Sequence, residues 1–579
     1  MAYSAVEKTD TPARSILPAA EMLFKEQEVV GKIGGPPAVS CEDGTLSFLF
    51  RAEAVRSGEK WFCSDSTFRV YIKKPLAEAA YGERWRIKGR YRSYAESRAG
   101  LDGSYYATEA IRLREAGPSF KAVCYKARDR AAQSLRVGME SFPEQVQLLS
   151  ALLLGYRNAL SPELYQTFAY TGTLHIFAIS GLHVGVLAAI LIAVLKMIGV
   201  SRPRWGLVLI PALLFYVVST GMKPSAFRAF TMAAVYFAAP LVRRRPDPAS
   251  SIALSALILL VMNPFQIRDP GFLLSFTVVT GIVMVHGYAL RRLTGFSRPG
   301  WAIPLAQLSG PRPIIALLRT MGLLTLTSVA AWIFSAPLTA RFFNTLSPVA
   351  LAGNLVIIPL TFLIVLTGCL TLVTAPALFS VAIVFNHANR VFITLLIASI
   401  KRMGDLPGAT IFVRSPAPVV LFLWYTGLIL FLTGTPRIRR VAILCILGSV
   451  LFWGGGMHRP FSGIEVYKEG ETATIIRGAP SRWILVTDGS SYGTRRTIRR
   501  LQKEGVNRLH ALVVSDRWAE AESIEKLYRS FSPEQVWMIP DLQKGPLAET
   551  LREAGLPLVF SKQSAWEIEG GILSTSLGH

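Results

Sequence analysis

The chain has 579 residues, 51% of them hydrophobic, and carries 62 Lys and Arg against 38 Asp and Glu, a formal charge of +24. With a mean hydropathy of +0.38, that apolar fraction excludes an ordinary soluble protein, and the length exceeds a single domain. The positive excess fits basic loops beside membrane spans, contact with anionic lipid, or a polyanionic ligand, and five cysteines are too few for a disulfide scaffold.

Residues 1–25 read as a loose tail, without the apolar core of a signal peptide. Residues 26–116 alternate apolar and polar positions in short runs such as TFRVYIKKP and ERWRIKGRYRSY, cut by Gly and Pro. This pattern predicts a small OB-like β domain of five or so strands. One strand places Arg84, Arg86, Lys88, Arg90 and Arg92 at every second position, with Trp85, Ile87 and Tyr91 between them. Strand side chains alternate faces, so the cations would share one face and the aromatics the core side. Such a strand could bind DNA, its cations tracking phosphates and aromatics such as Tyr91 stacking on bases; it could equally be a solvated outer face. Cys41 and Cys63 could pair if this region lies outside the cytoplasm, leaving Cys124 over, while Cys369 and Cys445 fall in apolar runs as buried thiols.

Residues 117–180 form a helical connector, in which QVQLLSALLLGYRNAL is an amphipathic or interfacial candidate. Residues 181–456 hold about ten apolar runs: 182–200, 206–221, 225–242, 250–264, 272–290, 321–338, 349–374, 377–400, 416–434 and 440–456. The fold class expected is a polytopic α-helical membrane protein with an N-terminal OB-like β domain and a small C-terminal α/β domain. Pro224, Pro270, Pro337 and Pro359 sit at or inside apolar runs. Broken helices at membrane depth survive where protein or a water-filled cavity satisfies the freed backbone, which points to a conduit. Arginine clusters at 243–245, 291–319 and 437–440, if cytoplasmic, put both flanking regions outside; Lys401 and Arg402 disagree with that count.

The mouth of the first run, HIFAISGLHVGVL, holds His175, Ser180, Gly181, His183 and Gly185. On one continuous helix, at about 100° per residue, His175, Ser180 and His183 fall within an arc of about 140°, although Gly181 and Gly185 could break the helix there. Polar groups entering a bilayer mark a pathway, or else small residues allow helices to pack closely. Arg228 starts another run and needs a partner; Asp269 is a candidate, and can also cap the helix that follows it. Asn354, inside an apolar run, can bond across helices or line a pathway. Residues 463–579 alternate apolar strands such as ALVVS with charged helical stretches such as TRRTIRRLQKEG, an α/β pattern. No G-x-x-x-x-G-K-S/T run occurs, so no cofactor is expected and any transport must draw its energy from elsewhere.

HIFAISGLHVGVL closely resembles the signature of the ComEC competence family, the inner-membrane channel for DNA uptake in natural transformation. In the same order, LLSALLLGYRNALSPELYQTFAYTGTLH, PSAFRAFTM, DPGFLLSFTVV and SAPLTARFFNTLSPVALAGNLVIIPL resemble further family segments, together reaching from Leu148 to Leu360. The resemblance implies an OB-like domain before the channel core and, in many members, a metallo-β-lactamase-like tail. Here the stretch where such a tail binds metal reads Ser515-Asp516-Arg517-Trp518-Ala519-Glu520-Ala521, without histidine. The tail is therefore expected to be a shortened, degenerate remnant without metal or enzymatic activity. The family usually opens with apolar helices ahead of the OB-like domain, and Tyr156 stands where an acidic residue is expected. The implied function is import of single-stranded DNA through a bacterial inner membrane, with a cytoplasmic ATP-driven motor and an extracellular DNA receptor as partners. The rival readings are a membrane-bound metallohydrolase, a transporter of another solute, and an inactive truncated paralogue.

Overall fold

A computed structural model of the chain describes residues 26–39, 44–57, 60–73, 79–98, 101–115, 117, 119–156, 162–177, 179–294, 313–406, 408–457, 465–469, 472–478, 482–516, 519–538, 546–560, 565–568 and 571–574. The expected loose tail and Cys41 lie outside them, and Cys63 is an exposed free thiol. Two compact units emerge, Met1–Phe276 with Ala352–Leu406, and Thr277–Leu351 with Pro407–His579.

The first unit begins with strands β1 (Glu26–Ile33), β2 (Ala38–Val39), β3 (Leu46–Ser57), β4 (Lys60–Cys63), β5 (Thr67–Ile72), β6 (Arg84–Arg98) and β7 (Leu101–Arg114). Five of them close a barrel in the order β1-β6-β7-β5-β3 and back to β1, with every pair antiparallel except β5 and β7. Period-two alternation builds it: along β5, Phe68, Val70 and Ile72 point inward, and along β6 Trp85, Ile87 and Tyr91 do so. The interior is aromatic, with Phe68 stacked on Tyr105 at 5.3 Å. Closure requires two glycines. Register shifts fall at Val30/Gly31 and Lys88/Gly89, where a Cβ would lie 2.2 Å from the Arg51 carbonyl oxygen and 2.1 Å from that of Tyr106. Bulges of this kind bend a strand and bring two backbones close.

Helices α1 (Phe120–Arg136), α2 (Pro143–Leu154) and α3 (Pro162–Tyr170) follow. The stretch expected to be interfacial is instead a core helix, since α2 buries Val146 and every residue from Leu148 to Leu154. Each of the ten apolar runs then forms one helix: α4 (Gly181–Met197), α5 (Trp205–Ser219), α6 (Pro224–Ala238), α7 (Pro248–Met262), α8 (Pro270–Thr294), α9 (Pro313–Phe343), α10 (Val349–Thr374), α11 (Phe379–Gly404), α12 (Pro418–Thr433) and α13 (Pro436–Met457). Six of them, α6, α8, α9, α10, α11 and α13, contribute segments long and apolar enough to cross a membrane. The other four have 15 to 17 residues. At about 1.5 Å per residue they reach about 22–26 Å, short of a hydrocarbon core of about 30 Å. The prolines divide in two. Pro224 and Pro270 begin helices, where a missing N–H costs nothing, whereas Pro337 and Pro359 lie inside α9 and α10.

The second unit contains β8 (Thr345–Leu346) and β9 (Ile411–Phe412), which pair as a short ladder. The tail adds β10 (Glu465–Glu469), β11 (Ala473–Gly478), β12 (Arg482–Thr487), α14 (Ser491–Lys503), β13 (Ala511–Val514), α15 (Ala521–Phe531), β14 (Gln535–Met538), α16 (Pro546–Glu553) and β15 (Leu558–Phe560). Its sheet is an antiparallel meander β10-β11-β12 continued by parallel β13, β14 and β15. β13 is buried at all four positions, as a central parallel strand must be. Within this unit the tail is held to β9: the Asn507 side chain accepts from the Phe412 N–H at 2.6 Å and donates to the Phe412 carbonyl at 2.9 Å, and Arg414 pairs with Glu504 at 2.8 Å.

Barrel closure through the two glycine bulges makes a specific forecast. Gly89→Ala should cost the barrel about 1–3 kcal/mol, because the Cβ displaces main chain rather than a flexible side chain. Hydrogen–deuterium exchange of detergent-purified protein should show faster exchange across β6 and β7 than in the parent chain; equal protection would contradict this role for the bulge.

Candidate functional sites: the signature, an ion pair and a cationic barrel face

The signature does not form one continuous helix. α4 begins at Gly181, because Ser180 is an extended N-cap residue whose Oγ accepts from the Leu182 N–H at 3.2 Å. His183 Nδ1 in turn accepts from the Ser180 N–H at 3.2 Å, so histidine plays the part that Glu or Gln takes in a capping box. His175 lies outside this helix, in a single 3-10 turn, Leu174–Ile176, with Nδ1 3.2 Å from the Gly172 carbonyl. The expected shared arc of His175, Ser180 and His183 is therefore broken into a turn and a cap. The His183 side chain is 1% exposed, and its Nε2 has no hydrogen-bond partner among the described residues. Neither glycine is a point of close helix approach. A Cβ on Gly181 would meet only Ala229 at 3.8 Å, and one on Gly185 would meet nothing within 4 Å among the described residues.

α6 ties this cap to the ion pair. In its first turn, Ser225 Oγ donates to the Ile179 carbonyl at 2.8 Å. One turn later Arg228, 7% exposed at its side chain, reaches Asp269 Oδ2 at 3.6 Å. The two roles considered for Asp269 coexist, since its oxygens also accept from the Gly271 and Phe272 N–H groups at 3.2 and 3.1 Å and so cap α8. Arg228 Nε is buried without a hydrogen-bond partner among the described residues. Asn354 lies on α10, and its Oδ1 is likewise buried and unpartnered among them, as is Thr361 Oγ1 seven residues on. Ile357, one turn after Asn354, belongs to the same core cluster as Ile176 and Phe177 of the signature region.

A further polar network had no signal in the sequence. Asn386 of α11, fully buried, donates to the carbonyls of Ser134 and Val137 at the end of α1 and accepts from Thr371 of α10 at 3.1 Å. It ties down carbonyls that a helix end leaves without partners.

On the barrel, Arg84, Arg86, Lys88, Arg90 and Arg92 do line the outer face of β6. They are not equivalent. Arg84 pairs with Glu53 at 2.8 Å, Arg86 with Glu28 at 3.2 Å and Lys88 with Glu26 at 3.8 Å. Among the described residues, no carboxylate forms an ion pair with Arg90 or Arg92. Tyr91 is 6% exposed and packs edge-on against Phe68 at 5.8 Å, so it belongs to the core and cannot stack on a ligand. The exposed aromatics come from neighbouring strands. Register puts Arg90 beside Tyr106 of β7 and Tyr106 beside Tyr71 of β5; the next row is Arg92, Ser104 and Arg69. The Tyr71 and Tyr106 rings stack at 5.4 Å and 18°. Three cations thus border a tyrosine pair on one face. Tyr71, Tyr106 and Arg69 were missed in the sequence because the β5–β7 pairing that unites them is non-local.

In the tail, Asp488 Oδ1 accepts from the Ser490 N–H and hydroxyl at 2.9 and 3.0 Å, and Glu520 Oε2 accepts from Ser523 at 3.2 Å. Among the described residues, no three His, Cys, Asp or Glu side chains gather as a metal site.

Apolar helices of spanning length, joined to a closed β-barrel and an α/β tail, define a helical membrane protein. Residues 152–437, which contain the signature, the ion pair and Asn354, match the family described as Competence protein. ComE operon protein 3 of Bacillus subtilis (strain 168) is 27% identical over 419 residues, 67% of this chain and 50% of that protein. Competence protein ComA of Neisseria gonorrhoeae is 24% identical over 491 residues, 80% of this chain and 65% of that one. Uncharacterized protein YcaI of Escherichia coli (strain K12) is 23% identical over 367 residues, 61% and 45% of the two chains. That family match covers just under half of the chain, which spans about half to two thirds of the length of these curated relatives. No solved structure matches it.

The ion pair can be separated from the cap by mutation. Asp269→Asn keeps one of the two acceptors at the start of α8 and removes the charge opposite Arg228, at a cost of about 1–3 kcal/mol because Asp269 is half exposed. Adding Arg228→Met should restore much of the loss, measured as thermal stability in detergent. A double variant no more stable than the single one would show that Asp269 acts on α8 alone.

Proposed function

We propose that this chain takes up single-stranded DNA across the bacterial inner membrane in natural transformation. The barrel, OB-like in its closed five-strand order with one parallel pair, receives the strand, and the helical core passes it inward. In this reading each of the ten apolar helices crosses the membrane. The observation that carries the proposal is the outer barrel face, where Arg69, Arg90 and Arg92 border the stacked Tyr71–Tyr106 pair. Cations beside flat aromatic rings are what a flexible polyanion with exposed bases requires. The match of residues 152–437 to the competence-protein family supports the same reading.

In the core, His175, Ser180, Gly181, His183, Arg228, Asp269 and Asn354 form the polar lining or the network that supports it. Support comes from the buried polar atoms of His183, Arg228 and Asn354 that have no partner among the described residues. Buried groups of this kind normally find a partner in protein or water, which is what a hydrated route would supply. A cytoplasmic ATP-driven motor and an extracellular DNA receptor complete the pathway, since no phosphate cradle is readable in the sequence. The tail is a degenerate metallo-β-lactamase-like domain in this reading; Asp488 closes a local turn and Glu520 accepts from the Ser523 hydroxyl.

Binding of a fluorescent oligonucleotide to the detergent-purified chain tests the barrel face. Tyr71→Ala with Tyr106→Ala should weaken binding about tenfold or more, given about 1–3 kcal/mol per stacked base. Arg90→Ala with Arg92→Ala should flatten the dependence of log affinity on log salt by about 1.4, or 0.7 per lost phosphate contact. Import of labelled DNA into cells carrying either variant should fall in parallel. Unchanged affinity and import in both would remove the face from the pathway.

A further inference from the structure

The outer face of the barrel is divided along β6. Near the start of the strand each cation is already engaged. Glu53 holds Arg84 at 2.8 Å with one oxygen and Lys32 at 3.1 Å with the other. Glu28 likewise holds Arg86 at 3.2 Å and Arg56 at 2.9 Å. Further along, Arg90 lies across from Glu26, whose carboxylate turns to Lys88 at 3.8 Å, and among the described residues neither Arg90 nor Arg92, beside the tyrosine pair, has a carboxylate at ion-pair distance. The division has a direction. Tyr81, three residues before Arg84, packs edge-on against Tyr125 of α1 at 5.0 Å, so the compensated end is the one that meets the helices. A pocket of about 500 Å³ opens at that same end, lined in part by Lys32, Glu53, Arg84 and Arg114.

We infer that Glu28 and Glu53 are built-in competitors for phosphate, which grade the face from tight at the Arg90–Arg92 end to loose at the Arg84 end. The inference rests on the face being a single-strand binding surface. A carboxylate at salt-bridge distance from two cations occupies the positions that phosphate oxygens would take, and a strand must displace it to bind there. A track lined only by free cations would hold a polyanion along its whole length. Passage needs contacts favourable enough to enter and weak enough to leave. Compensation at the helix-proximal end gives release where the strand leaves the barrel, and the uncompensated end with its aromatic pair gives capture. Both carboxylates are partly exposed, at 19% and 31% of their side chains, so an incoming strand can reach them.

The test uses the full chain in detergent and a fluorescent thirty-residue oligothymidylate, titrated across a salt series. Glu28→Gln with Glu53→Gln preserves shape and removes the carboxylate charge beside four cations. The double variant should bind about tenfold more tightly, and its salt slope should steepen by at least about 1.4, the value for two additional phosphate contacts. Each single variant should shift affinity and slope in the same direction by a smaller amount, so the outcome does not hang on the double variant folding. DNA import into cells should fall in the double variant despite the tighter binding. Equal affinity and slope in all four proteins, with the parent chain binding normally, would overturn the competitor role while leaving the binding face intact. A parent chain that does not bind the oligonucleotide would overturn both.

Discussion

A polar group that is taken out of water must find a partner within the chain, and this constraint organises each part of the molecule. Strand edges are removed by closing five strands into a ring. The start of α4 is satisfied by the reciprocal bonds of Ser180 and His183, the start of α8 by Asp269, and the end of α1 by Asn386. In the last two cases a single side chain does two jobs, completing a helix end and joining it to another element. Asp269 caps α8 and neutralises Arg228; Asn386 closes α1 and links α10 to α11.

The same constraint gives the signature a physical meaning. A histidine at the third position of α4 is an unusual capping partner in an apolar surrounding. It satisfies the helix start with one ring nitrogen and leaves the other free of a partner among the described residues. Arg228, Asn354 and Thr361 each repeat this pattern of a buried polar atom left over. Such atoms are costly in a dry core and cheap beside water. All four lie inside the segment that matches the competence-protein family.

What the sequence revealed and what it hid follow from the range of the interactions. Ten apolar runs became ten helices because run length, proline and glycine act locally. The alternation along β6 likewise set its two faces. The shared arc of the two histidines failed for an equally local reason, since Ser180 stops the helix from extending back to His175. Everything that depends on strand pairing was out of reach. Glu26, Glu28 and Glu53, which pair with three of the five cations in the row, come from β1 and β3. Tyr71 and Tyr106 meet only through the parallel β5–β7 pair. The Asn386 bonds to α1 cross about 250 residues of chain. Composition reports how much charge a strand carries, and only register reports how much of it is free.

The proposed uptake route depends on one physical contact, between an unpaired base and the tyrosine pair on the outside of the barrel. Photo-crosslinking reads it directly. A single-stranded oligonucleotide carrying 5-iododeoxyuridine should, on irradiation with the purified full chain, attach to the peptides that contain Tyr71 and Tyr106, and unlabelled single strand should suppress the product more effectively than duplex. Attachment confined to the tail or to the helical segment, with neither tyrosine peptide modified, would contradict it.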